Sequence, residues 1–307
     1  MKKKAKRNQQ RQTGKRAINR TYKSTVFIML FEDKKNLLEL YNAVSGKHYQ
    51  NPELLEINTL ENAIYLSVKN DVSFVIDARL SLYEHQSTYS PNLPLRFLFY
   101  ISSEYSVMTR EANIYGTQVV RIPPPQFIIF YNGEKEQPER KILKLSDMYT
   151  VQEGEICLEL TAVMLNINQG FNEKLKETCK TLGDYAEYTG RVRKYARKMG
   201  LPDAVERAIT ECIQEGIMRE FLEKNRAEVT YMSIFEYDQE RHLRQEREEA
   251  YETGRKEGFE EGSQAVICDL IRKMWKRGKS IREIAEDLEA DQTFVEEIVE
   301  RVTEQET

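Results

Sequence analysis

The chain has 307 residues, of which 40% are hydrophobic, with 46 Lys and Arg against 50 Asp and Glu. This length predicts one catalytic-sized domain with smaller appendages. No apolar run approaches the roughly 18 residues of a membrane span, and no apolar segment follows the basic N-terminus, so we expect a cytoplasmic protein without a membrane partner. Four cysteines without Cys-x-x-Cys spacing, and three histidines, argue against a disulfide framework or a thiolate zinc site.

Charge is distributed unevenly along the chain. Residues 1–24 contain ten Lys or Arg and no acid, which leaves 36 basic against 50 acidic groups in the rest. The sequence predicts a disordered basic tail here. Such a tail can bind DNA phosphates by releasing counterions, although a merely solvated tail has the same composition.

The segment 25–150 predicts a mixed α/β unit. Apolar residues at helical spacing predict one or two helices that end at Gly46. Five runs rich in aliphatic, β-branched and aromatic residues predict strands, and a Pro followed by apolar residues predicts a helix between the third and fourth of them. The strands are expected at 63–68, 72–76, 80–83, 118–122 and 126–131, and the helix at 94–105.

The second half of the chain predicts helices. Strand-like alternation stops near Gly154, and charged segments of period 3.6 follow. We expect a helical segment at 151–238, a charged helical linker at 239–265 and a module of three short helices at 266–302, with a capping box at Ser280 and Glu283. The module resembles a helix-turn-helix, but Glu296, Glu297 and Glu300 would repel DNA, so protein packing is the better interpretation.

One hairpin combines the polar groups that metal-assisted chemistry needs. A hard cation requires converging carboxylates, and it retains water that can act as a nucleophile. Asp71 begins the second predicted strand, while Glu84 and Gln86 share one face at the end of the third and His85 points away. A loop of two or four residues brings Asp71 to the face of Glu84, whereas a loop of three residues places it on the other face.

Three sequence blocks carry a resemblance to a known family. They are Asn-Asp-Val-Ser-Phe at 70–74, Leu-Tyr-Glu-His-Gln-Ser at 82–87, and Pro-Asn-Leu-Pro-Leu-Arg at 91–96. Together with the strand and turn at 129–133 and the Gly-Arg-Lys-Glu-Gly run at 254–258, they resemble the Rpn family of recombination-promoting nucleases, also described as transposases. This family belongs to the PD-(D/E)XK superfamily, and the resemblance covers about residues 25–302. It implies a restriction-endonuclease-like mixed-sheet core.

The resemblance also implies roles for individual residues. Asp71 and Glu84 would ligate a divalent cation, expected to be Mg²⁺, with the backbone carbonyl of His85 as a third oxygen. Gln86 stands where the superfamily usually has Lys, so it can orient a group by hydrogen bonding but cannot supply positive charge. The helical glutamate of the superfamily is not fixed by the sequence, and Glu39 and Glu61 are the two candidates.

The functional expectation is a Mg²⁺-dependent DNA endonuclease that promotes recombination, with Asp71, Glu84 and Gln86 as catalytic residues. Arg96 and Arg79 are candidates for phosphate contact, although each also suits a surface ion pair. A homodimer is expected if both strands are cleaved, since this usually needs two sites. The alternative is a catalytically degenerate protein of the same fold that serves as a DNA- or protein-interaction module.

Overall fold

The computed structural model describes residues 25–57, 71–152 and 154–305, in two compact units divided between Glu240 and Arg241. The predictions for the basic tail, for a strand at 63–68 and for Glu61 therefore lie outside the described residues. Within the part that is described, no helix has the length and apolar character needed to cross a membrane.

Two helices open the first unit, as the apolar spacing predicted. Helix α1 is Val26–Phe31 and helix α2 is Lys34–Ser45. The side chain of Asp33 accepts hydrogen bonds from two amides of the first turn of α2, which would otherwise lack partners. Gly46 ends α2 with φ of 70°, a left-handed conformation that a residue without Cβ adopts at little cost.

A six-stranded mixed sheet forms the centre of the first unit, so the prediction of a mixed α/β unit is confirmed. The order across the sheet is β1-β2-β3-β4-β6-β5. Neighbouring strands are antiparallel except for two parallel pairs, β3 with β4 and β4 with β6. The strands are β1 (Glu56–Ile57), β2 (Val72–Ile76), β3 (Arg79–Gln86), β4 (Pro125–Tyr131), β5 (Arg140–Lys144) and β6 (Thr161–Asn166).

Each face of the sheet packs against its own helices, because side chains alternate along a strand. One face carries Leu80, Leu82 and Ile129 and packs on helix α3 (Leu93–Met108). The opposite face carries Phe74, Tyr83 and Phe130 and packs on α1 and α2 together with later helices. These later helices are α4 (Glu173–Thr178), α5 (Lys180–Ala196) and α6 (Leu201–Glu215).

Two sequence predictions about strands are wrong. Residues 118–122 form no strand, and Val119 is 81% exposed, because this apolar run lies in a surface loop and pairs with no strand in the described part of the chain. Strand β6 lies inside the range 151–238 that was predicted as helical. Its residues Ala162 and Met164 are buried in the sheet beside β4, so partner strands determined the conformation there.

The second unit contains the end of a long helix and two short helices. Helix α7 is Arg219–Lys276, with a non-helical residue at Asn225, followed by α8 (Ile281–Asp287) and α9 (Gln292–Gln305). The three helices share a small apolar core that includes Ile271, Ile284 and Val295. The capping box of Ser280 and Glu283 is present, which confirms the predicted start of α8.

Candidate functional site

The hairpin turn settles which face of the sheet Asp71 occupies. Ile76 pairs with Arg79, so the loop has two residues, Asp77 and Ala78, with φ of 51° and 54°. Positive φ at both positions is the signature of a type I′ turn, whose twist matches that of the paired strands. The strand register pairs Val72 with Tyr83. Extending it by one residue places Asp71 opposite Glu84. The even loop length required by the sequence argument is therefore confirmed.

At the end of the hairpin, the side chain of Asp71 accepts a hydrogen bond from a backbone amide of β3. Regular pairing of β2 with β3 stops at Val72, and the Oδ2 atom of Asp71 accepts a hydrogen bond of 2.7 Å from the backbone N–H of His85. This bond fixes the orientation of the carboxylate. Asp71 as a whole residue is only partly buried.

Glu84 is the most deeply buried acid of the hairpin, with 1% of its surface exposed. Its Oε1 atom accepts hydrogen bonds from the guanidinium of Arg96 and, at 3.3 Å, from the amide of Gln86. Its Oε2 atom is buried and has no hydrogen-bond partner among the described residues. A buried carboxylate oxygen without a hydrogen-bond donor lowers the stability of the fold. A bound cation or water would supply the partner that this atom lacks.

Helix α3 supplies the positive charge of the site. Its first turn carries Arg96, which ion-pairs with Glu84, and one turn later the hydroxyl of Tyr100 accepts hydrogen bonds from Nε and Nη2 of Arg96 at 3.2 and 2.8 Å. Tyr100 is not among the predicted site residues, although the spacing of four residues places it beside Arg96.

The protonation of the two acids is shifted in the same direction. Burial raises the pKa of Asp71 to about 6, although the His85 amide and the Arg96 charge oppose the shift. Burial, and then the neighbouring charge of Asp71, raise the pKa of Glu84 well above its usual range, although Arg96 opposes the shift. Two acids and one arginine therefore leave an excess of negative potential, which favours either protons or a cation.

His85 lies on the opposite face of the sheet, as strand alternation predicted. Its ring is buried, stacks on Phe27 and makes hydrogen bonds of 3.0 Å through Nε2 to Asn132 and to Tyr185. Burial lowers the pKa of His85 to about 3, so the ring is neutral at physiological pH. A cleft on this side is lined by Asn132, Arg193 and Glu236 among others, and Asp71 and Glu84 are not among its lining residues.

The structure does not bring Glu39 to the two acids. Both of its carboxylate oxygens are bonded at the start of α5, to the backbone N–H of Lys180 and to the hydroxyl of Thr181, each at 2.7 Å. Glu39 therefore satisfies the N-terminus of a helix that packs on the other face of the sheet. Over residues 25–57, 71–152 and 154–305, no group of three or more His, Cys, Asp and Glu is placed to hold a metal ion.

No protein family, curated protein or solved structure matches this chain. The interpretation of the site therefore depends on its own geometry. Asp71, Glu84 and Gln86 are brought together on one face, and Arg96 joins them from α3. The side chains supply carboxylate and amide oxygens, which are the ligands that Mg²⁺ and Ca²⁺ prefer, and Oε2 of Glu84 has no hydrogen-bond partner among the described residues.

Proposed function

We propose that this protein is a divalent-cation-dependent DNA endonuclease of the PD-(D/E)XK class, related to the recombination-promoting nucleases, and that its cation is Mg²⁺. One observation carries the proposal. Asp71, the residue before β2, lies at the position opposite Glu84 of β3, and the buried Oε2 of Glu84 lacks a donor among the described residues. A buried carboxylate oxygen without a donor costs stability, and a bound cation would offset that cost.

The fold around the acids supports the same proposal. The two acids lie on a hairpin within a mixed sheet that has helices on both faces, which agrees with a restriction-endonuclease-like core. The hairpin is rigid because β3 is bonded on both sides, to β2 and β4. A rigid support is what a site needs to hold two like charges close together.

The residues have distinct roles in this proposal. Asp71 and Glu84, with the backbone carbonyl of His85, would hold the cation. When bound, it would lower the pKa of a coordinated water and stabilise charge on the phosphodiester. Gln86 has an amide oxygen that makes no hydrogen bond within the described residues, so it can accept one from the attacking water and orient it.

Nicking of supercoiled plasmid DNA in Mg²⁺ tests the proposal. Asp71→Asn and Glu84→Gln keep the size of each side chain and remove one ligand charge, so we expect each to reduce nicking by at least about 100-fold, or about 2.7 kcal/mol. Glu104→Gln is the matched control, since Glu104 is also a buried acid on this side of the sheet, but it belongs to α3 and is bonded to Ser73. Undiminished nicking by both site variants would contradict the proposal.

The second candidate is a nuclease-fold protein without catalysis that serves as an interaction module. Gln86 favours it, because a neutral side chain stands at the position where the resembled superfamily usually places Lys. Calorimetric titration with Mg²⁺, Mn²⁺ and Ca²⁺ separates the two candidates. An endonuclease of the proposed kind binds a cation at millimolar concentration or below, and a module that binds DNA but no cation supports the second candidate.

A further inference from the structure

Arg96 is held at two points, and one of them is an acid that the proposed cation would need. Its Nη2 atom bonds Glu84, while Tyr100 accepts hydrogen bonds from Nε and Nη2. Its Nη1 atom makes no hydrogen bond within the described part of the chain, and the side chain is 35% exposed. The guanidinium is therefore anchored by Tyr100, bonded to Glu84 and open to solvent on the remaining side.

The charge balance shows what a cation would change. Over the described residues, Arg96 is the only Lys or Arg that pairs with either Asp71 or Glu84. A divalent cation held by both carboxylates would neutralise them and leave the Arg96 charge without a counterion. A phosphodiester carries one negative charge, which would restore neutrality at the site.

We propose that Arg96 exchanges partners, holding Glu84 when the site is empty and binding a backbone phosphate of DNA when a divalent cation occupies the Glu84 carboxylate. This inference rests on the proposed function and adds an order of events to it, because the cation must bind before the arginine is released. DNA affinity and cation affinity then rise together, since coupling between two ligands is reciprocal.

Three features of the site favour this exchange. Gln86 brings no positive charge to the phosphate, so Arg96 is the nearest residue that can, and both side chains bond the same oxygen of Glu84. A guanidinium presents several N–H donors in a plane and matches the oxygens of a phosphate. Tyr100 accepts a hydrogen bond from Nε, so the whole planar guanidinium can pivot about that contact as Nη2 leaves Glu84.

The first test measures binding of a fluorescently labelled DNA duplex by anisotropy at fixed ionic strength, in EDTA and in Ca²⁺. We expect Ca²⁺ to tighten DNA binding of the parent protein by about tenfold, within the usual range of coupling between sites. Arg96→Gln should lose this gain while binding Ca²⁺ at least as tightly as the parent in calorimetry. Arg140→Gln, an exposed arginine at the start of the edge strand β5, should retain the gain and serves as the matched control.

The second test needs no cation. Glu84→Gln removes the ionic partner of Arg96, so in EDTA this variant should bind DNA several-fold more tightly than the parent. Loss of one negative charge would also strengthen DNA binding by itself. The double variant Glu84→Gln with Arg96→Gln separates the two effects. A gain that comes from the release of Arg96 disappears in the double variant, whereas a gain that comes only from the lost negative charge persists.

The results distinguish this inference from the proposed function. Retention of the full Ca²⁺-dependent gain by Arg96→Gln overturns the exchange, and so does a Glu84→Gln gain that persists without Arg96. A parent protein that binds no divalent cation contradicts the proposed function instead, and the measurements in EDTA then still decide whether Glu84 restrains Arg96. Circular dichroism of each variant confirms that it is folded.

Discussion

Replacing Asp71 by Asn provides a quantitative check on the electrostatics of the site. The pKa of Asp71 rises from 3.8 to about 6 on folding, chiefly because of burial. At 1.36 kcal/mol for each pKa unit, this rise corresponds to about 3 kcal/mol. Since the side chain is partly exposed, solvent screening reduces the expected effect to about 1 to 2 kcal/mol.

The sign follows from which state binds the proton more tightly. The folded state does, so the contribution of Asp71 to stability is fully present below about pH 4 and is lost as the pH rises through about 6. Asn carries no charge, and its side-chain oxygen can still accept the hydrogen bond from the His85 amide. We therefore expect Asp71→Asn to be about 1 to 2 kcal/mol more stable than the parent at pH 8 in EDTA, and about equal to it at pH 4.

A divalent cation should reverse part of this difference. Binding to the folded parent adds about 1.4 kcal/mol of stability when the free cation is at ten times its dissociation constant. The variant lacks one ligand, so Mn²⁺ or Mg²⁺ at pH 8 should stabilise the parent and leave Asp71→Asn nearly unchanged. The same measurement therefore tests the pKa argument in EDTA and the ligand argument in the cation.

Urea unfolding followed by hydrogen exchange of peptides from β2 and β3 measures the first unit specifically. Trp275, the single tryptophan, lies in the second unit, so its fluorescence gives an internal reference that the substitution should not alter. Asp147→Asn, at an exposed position, is the control for removal of one negative charge. A variant that is less stable than the parent at pH 8 in EDTA, or equally stabilised at pH 4 and pH 8, would refute the reasoning.

Three further predictions concern the elements that support the site. The ring of His85, whose pKa is about 3, should not titrate in NMR spectra between pH 5 and 8, and a titration midpoint near 6.5 would contradict its burial. His85→Ala should cost about 2 to 4 kcal/mol of folding stability through lost packing and hydrogen bonds. Ala78→Gly should stabilise the first unit by about 1 kcal/mol, because Ala78 has φ of 54°, and a loss of stability in denaturant unfolding would argue against the type I′ turn. Gly133→Ala should destabilise it by more than about 2 kcal/mol, because an added Cβ would lie 2.1 Å from the backbone oxygen of Ser87, and an unchanged melting temperature would count against this close approach.

Local patterns in the sequence predicted the conformation wherever neighbouring residues decide it. The opening helices and their end at Gly46 followed from apolar spacing and a left-handed terminal glycine. Strand alternation predicted that Glu84 and Gln86 share a face and that His85 lies on the other, because this period is a property of any extended chain. The capping box at Ser280 is likewise local and was predicted correctly.

Long-range contacts decided the remainder. The apolar run at 118–122 has the composition of a strand but pairs with none of the strands that the structure describes. Segment β6 became a strand inside a range of helical appearance because β4 and β5 lie beside it. The sequence left the length of the hairpin loop open between two, three and four residues. The two-residue turn in the structure decided which face of the sheet Asp71 occupies. Composition cannot specify which strands pair, since pairing depends on what the whole sheet buries.

The candidate site shows the same division. The sequence by itself gave the residue types on the hairpin, Asp71, Glu84 and Gln86, and the resemblance they carry. Only the tertiary structure placed Arg96 of α3, which is also bonded to Tyr100, on the Glu84 carboxylate and left Oε2 of Glu84 without a donor among the described residues. These contacts join a strand to a helix that packs across it, and the geometry of such packing is fixed by the core, not by the spacing of residues along the chain.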